Sequence, residues 1–261
     1  MIDHSRHAAL DLGTARTRLL FSGSDTLIDE PSAVPDGSAE PGDGAADAVP
    51  DRRWQWPVRH GMVTDTPACA RLAGRVLRAG TGWGTAPLEW ILLGVPVAAT
   101  ESERHAAVAV VHDVAGCPVA VVEEPLAAAV GSGMNVADPR PRILLDMGAG
   151  IIEAAVISRG RVVDTGSVQI ITEFHAGKVT GVPAHLLTRV AAMVTDLVDR
   201  VPAPIRRGAR DGGLLITGGG ATRPGLARYL CSTLRVSVSV APDPARATIR
   251  GLSRLLASNR P

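Results

Sequence analysis

Aromatic side chains are nearly missing from this sequence: Phe, Trp and Tyr together supply 3% of its 261 residues. A chain so poor in rings offers few surfaces on which bases could stack. A surplus of one charge is missing too. Lys and Arg number 27 and Asp and Glu 26, for a formal net charge of +1, and no basic stripe marks a nucleic-acid footprint. No nucleic acid is therefore expected as a partner. Cysteine is scarce and scattered: Cys69, Cys117 and Cys231 are odd in number and form no CxxC pair. That excludes a disulfide framework or a zinc ribbon and fits free thiols in a reducing compartment. No apolar run approaches the ~20 residues that span a bilayer, and Met1 to His7 is polar, with no signal region. The expectation is a cytoplasmic protein, with contact at a membrane surface left open.

What is present reads as alternating strands and helices, an α/β pattern. Ala8–Asp11 and Thr17–Phe21 flank a Gly-Thr turn, as in a hairpin. From 31 to 57, Pro31, Pro35, Pro41, Pro50 and Pro57 sit among Gly, Asp, Ser and Ala, which predicts a long flexible loop. Asp65-Thr66-Pro67 opens a helix to about Arg78. Trp90–Val97 is a buried strand, and Thr100-Glu101-Ser102-Glu103 has the spacing of a capping box opening a helix to about Ala115. Val119–Val122 is a strand, and a helix entered at Pro125 ends near Gly131 or Gly133. A second hairpin joins Ile143–Asp146 to Ile151–Ser158. Pro183–Val201 carries an apolar helical stripe. Leu214–Thr217 is a strand, Pro224–Leu234 a helix, Val236–Val240 a strand and Pro244–Ser258 a closing helix.

The chain says one thing twice. Leu10-Asp11-Leu12-Gly13-Thr14 begins one hairpin, and Leu145-Asp146-Met147-Gly148-Ala149-Gly150 begins another. Each copy ends an apolar strand on an aspartate, with glycine two residues later, which points to a duplicated domain. Glycine lets backbone approach a ligand, and the N–H groups of a tight turn make a nest for phosphate oxygens. Aspartates repel phosphate unless a Mg²⁺ ion stands between them, held largely through water. Two facing turns would then clamp a nucleotide tail. An Asp-x-Gly turn is also an ordinary way to close a hairpin. A third glycine cluster, Thr217-Gly218-Gly219-Gly220-Ala221, follows a strand and precedes a helix, where it would let a flat base or sugar approach. It is equally a plain strand-to-helix turn.

These residues resemble the actin-like ATPase superfamily, and most closely the bacterial actins of the MreB/Mbl family, over most of the chain. The resemblance rests on Asp11-Leu12-Gly13-Thr14-Ala15-Arg16-Thr17, Glu30-Pro31-Ser32, Pro57–Asp65, Val95-Pro96, Thr100-Glu101-Ser102-Glu103-Arg104, Glu123–Gly131, Leu215–Ala221, and Ala241-Pro242-Asp243-Pro244 with Arg250-Gly251, in the family's order. It implies a duplicated RNase H-like fold with two core subdomains. Residues 1–138 with 243–261 would form subdomain IA, and 139–242 subdomain IIA. It implies ATP or ADP with Mg²⁺ as cofactors. Asp11 and Asp146 would face the metal and its waters. Gly13, Thr14 and Ala15 would lie on the β-phosphate side, Gly148, Ala149 and Gly150 on the γ-phosphate side, and Gly218, Gly219 and Gly220 at the adenosine; Arg16 would either reach phosphate or simply be solvated. Glu124 stands where the family orients the attacking water, a catalytic role. A carboxylate there is also stabilised by the helix dipole alone.

The sequence departs from the pattern as well. Ile151-Ile152 stands where the family has two threonines, Ala149 replaces a glycine and Arg16 an asparagine. Residues 35–53 replace much of subdomain IB, and only about Ser167–Thr180 lies where subdomain IIB would be, so IIB is absent. Weak nucleotide affinity, slow or absent hydrolysis and impaired polymerisation follow as expectations. The implied role is cytoskeletal, in cell shape or cell-wall synthesis, accessory to full-length homologues or the wall-synthesis machinery. The rival reading is a non-hydrolysing pseudo-ATPase adaptor. Trp83, in the loop where the family touches membranes, would give weak membrane contact or fold back on the core.

Overall fold

The computed structural model describes residues 7–36, 54–80, 87–170 and 184–258. Two five-stranded sheets of identical build organise them. In the first, β1 (His7–Leu12) pairs antiparallel with β2 (Arg16–Phe21), which pairs antiparallel with β3 (Ile28–Pro31). On its other side β1 runs parallel to β8 (Trp90–Val95), and β8 parallel to β9 (Val119–Glu123). The second sheet repeats the order and the polarity. β10 (Arg142–Met147) is antiparallel to β11 (Ile151–Ser158), β11 to β12 (Arg161–Gln169), and β10 is parallel to β13 (Leu214–Thr217), itself parallel to β14 (Val238–Val240). The duplication read from two aspartate turns thus extends to the whole of both sheets.

Central strands buried on both faces read as unbroken apolar runs rather than alternating ones. β1 and β11 are such strands, and charged groups buried in them, Asp11 and Glu153, stand out for that reason. The outer face of the first sheet packs on α1 (Thr66–Ala79) and α2 (Glu101–Ala115) through Leu10, Leu72, Val76, Leu93 and Val111. The outer face of the second packs on α4 (Ala184–Arg200) and α6 (Leu226–Leu234) through Leu145, Val190, Val194, Leu197 and Leu230. Between the sheets lie α3 (Glu124–Gly131), whose Ala128 and Ala129 meet the second sheet, and α7 (Ala247–Ser258), whose Ile249, Leu252 and Leu256 meet the first. Each lobe therefore covers the inner face of the other with a helix.

Local chemistry fixes the helix starts. Asp65 caps α1 by accepting from Ala68 N–H. Thr100 and Glu103 form both bonds of the capping box at α2, and Gly116 ends that helix in the left-handed conformation. Replacing Thr100 with alanine should cost about 1 kcal/mol of stability in chemical denaturation; no change would show that the box contributes nothing here.

The structure corrects several sequence expectations. The stretch from 31 to 57 is not all loop: β4 (Val34–Pro35) pairs with β5 (Trp54–Gln55), anchored by Arg75 donating to the carbonyls of Pro31 and Ala33. Residues 37–53 lie outside the described residues, as do Trp83 and most of Ser167–Thr180. A small hairpin, β6 (Val58–Arg59) with β7 (Met62–Val63), turns at His60-Gly61, both at positive φ. α5 (Ala203–Gly212) was not expected; its proline and arginines obscure an apolar face that meets β10. A 3-10 turn at Pro244–Arg246 precedes α7.

Candidate functional site

The two aspartate turns meet where the lobes join. In the register of the first hairpin Asp11 lies opposite Arg18; in the second Asp146 lies opposite Glu153. Both turns are as tight as their glycines allow. A Cβ on Gly13 would fall 2.7 Å from the carbonyl oxygen of Arg16, and one on Gly148 2.5 Å from that of Ile151. Ser32 braces the first turn by donating to the Gly13 carbonyl at 2.6 Å, with its own N–H on the Ala15 carbonyl. This gives the Glu-Pro-Ser step a physical task.

The turns are in direct contact. A Cβ on Gly150 would lie 2.5 Å from Thr14 Oγ1 and 2.9 Å from His60 N. His60 Nδ1 hydrogen-bonds the Gly150 carbonyl at 2.8 Å, and Gly61 N–H donates to Thr14 Oγ1 at 2.9 Å. Further along β11, the buried Glu153 accepts from Ala98 N–H of the first lobe at 3.1 Å. Two clasps, at Gly150 and at Glu153, therefore hold the second hairpin to the first lobe.

Four carboxylates collect behind the turns, and burial dominates their chemistry by disfavouring the charged form. Burial raises Asp11, while the Arg18 guanidinium pulls it back down. Burial and then the charge of Asp11 push Asp146 up to about 7, against Arg18 and the hydroxyls of Thr217 and Thr248. Burial lifts Glu153 to about 8, against the Ala98 N–H, with Asp146 adding to the rise. Glu124 opens α3 beside Gly94, the strand neighbour of Asp11, and is raised well above its ordinary value by burial, then by Asp11, Glu153 and Asp146. Its Oε1 is buried with no hydrogen-bond partner.

The third glycine cluster packs against the second turn. Gly218, at φ +83°, leaves no room for a Cβ, which would lie 2.3 Å from Asp146 Oδ1, and Gly220 N–H donates to the Met147 carbonyl. Only Gly219 of the three faces open space. Arg16 is committed to β3, where it donates to the Asp29 side chain and carbonyl. Ile151 and Ile152 are buried in β11. Sequence reasoning passed over Arg18, His60 and Glu153. Counting from each turn would have found Arg18 and Glu153 opposite the aspartates; nothing local ties His60 to a turn 90 residues away.

Two sheets of one topology, helices exchanged between lobes and paired glycine turns at the junction define an actin-like, RNase H-type duplicated fold. Solved structures agree: MreB5 of Spiroplasma citri bound to ADP superposes with a TM-score of 0.80 at 20% identity, covering 97% of this chain and 96% of that one. The MamK double helical filament gives 0.75 at 16% identity, covering 98% and 99%. The chain belongs to the MreB/Mbl protein family, whose model matches residues 5–175 and 171–260. It is 24% identical to the cell shape-determining protein MreB of Escherichia coli K12 over 97% of this chain and 93% of that one. It is 23% identical to cell shape-determining protein Mbl of Bacillus subtilis 168, over 92% of each. The Escherichia coli alignment runs over 324 positions against a chain of 261 residues, so it opens long gaps in this chain.

Proposed function

We propose that this protein holds an adenine nucleotide between its two hairpin turns and works in cell shape or wall synthesis beside full-length homologues. The observation that carries the reading is the meeting of the Thr14 and Gly150 turns, with Asp11, Asp146 and Glu124 grouped behind them. Turn N–H groups at 13–15 and 148–150 would receive the phosphates, and Gly219 is the one open position of its cluster for the adenosine. Glu124, with its unpartnered Oε1, would position a water. Related MreB and Mbl proteins are named as determinants of cell shape, and MreB5 has been solved with ADP and with AMPPNP. Residues 1–138 with 243–261 would be subdomain IA and 139–242 subdomain IIA, with IB reduced and IIB absent, in keeping with the alignment gaps. Without those upper walls the nucleotide loses contacts, and a filament loses subunit contacts. Trp83 would add at most a weak touch on a membrane surface.

Calorimetric titration tests this. ATP and ADP should bind with a Kd of about 10–1,000 µM, roughly −4 to −7 kcal/mol; no binding at millimolar nucleotide removes the proposal. Phosphate release should be slow and lost in Glu124→Ala. Sedimentation should find no filaments of the pure protein with ATP, and robust filaments would remove the accessory role. A second reading, a non-hydrolysing adaptor, is favoured by Ile151 and Ile152, whose buried side chains bring no hydroxyl to the γ-phosphate turn. Release equal in wild type and Glu124→Ala would select it.

A further inference from the structure

The donor set fits a divalent cation poorly. Among the described residues no three His, Cys, Asp or Glu side chains come together in a group that could hold a metal ion. Two of the four carboxylates, Asp11 and Glu153, already have partners inside the protein. Arg18 Nη1 lies 3.4 Å from Asp11 Oδ2, and Glu153 accepts from Ala98 N–H.

Arg18 lies between two carboxylates, Asp11 and Asp29. It is the strand neighbour of Asp11 in the β1–β2 register, so both side chains leave the same face. The two are 14% and 8% exposed. Its Nε lies 3.3 Å from Asp29 Oδ2, and Asp29 is held in turn by Arg16. The row Arg16, Asp29, Arg18, Asp11 alternates in charge, so the guanidinium cannot leave without stranding Asp11. The equivalent place on the second hairpin is Glu153, which makes Arg18 the cation of the pair of turns. A Mg²⁺ ion brought to Asp11 would meet this buried positive charge at short range, where water screens little.

We propose that Arg18 stands in place of the divalent cation, so that this chain binds a nucleoside di- or triphosphate without Mg²⁺. The inference rests on the reading that a polyphosphate lies between the two turns. With Asp11 neutralised from within, the turn N–H groups can receive phosphate oxygens without carboxylate repulsion.

The test is calorimetric titration of the whole chain with ATP and with ADP, each in Mg²⁺ and in EDTA. Wild-type affinity should differ less than about threefold between the two conditions, and Arg18→Leu should bind at least about tenfold more weakly in EDTA and recover with Mg²⁺. Arg18→Lys, keeping the charge, should still bind in EDTA. Wild-type binding that disappears in EDTA overturns this inference and leaves nucleotide binding standing; no binding in either condition overturns both. The wild-type comparison decides the matter even if Arg18→Leu fails to fold.

Discussion

Gly251→Ala should destabilise the protein by about 3 kcal/mol or more, a drop of roughly 6–12 °C in unfolding midpoint. The methyl group would be added where α7 crosses α3. A Cβ on Gly251 would fall 1.7 Å from the carbonyl oxygen of Ala127, and one on Gly131 1.8 Å from that of Ala247. Both obstacles are backbone, so no side chain can swing aside, and the helices must separate. They are also the helices that each lobe lends to the other, so parting them strains both inner cores. Gly219→Ala is the control, since nothing lies within 4 Å of its Cβ position. Thermal unfolding of the two variants checks the claim, and a Gly251→Ala midpoint within about 2 °C of wild type would contradict the close crossing.

Stability should fall as pH rises from about 5.5 to 8.5, by at least about 2 kcal/mol. Burial, then neighbouring charge, lifts the Asp146 and Glu153 carboxyls to about 7 and about 8 in the folded chain. In the unfolded chain they titrate near 4. The folded state therefore binds more protons across that interval. The stabilisation is complete below the unfolded values and is lost as pH climbs through the folded ones. Glu153→Gln should flatten the slope, because an amide oxygen can still accept from Ala98 N–H and cannot ionise. Urea melts at several pH values measure it. A wild type that gains stability with pH, or a Glu153→Gln slope equal to wild type, would remove buried carboxylates as the cause.

Much of the fold was legible in the sequence because the signals are local. Thr100 and Glu103 announce a capping box three residues apart, and the structure forms both bonds. The apolar runs ending at Asp11 and Asp146 are buried strands closed by glycine turns that only glycine fits. Elements escaped detection where their partner was distant. Val34–Pro35 is a strand only because Trp54–Gln55 comes back to it, and α5 hides its apolar face among prolines and arginines.

The site divides the same way. Residue order alone placed an aspartate and a glycine on each of two turns and a carboxylate at the head of α3, because turn geometry and helix starts depend on neighbours in the chain. That the turns touch through Thr14, His60 and Gly150, that Glu153 reaches across to Ala98, and that Arg18 answers Asp11 were decided by the tertiary structure. These contacts depend on how two sheets are brought together by exchanged helices crossing at Gly131 and Gly251. Burial at that junction, which no residue carries in its own identity, is what turns ordinary carboxyls into groups that hold their protons near neutrality.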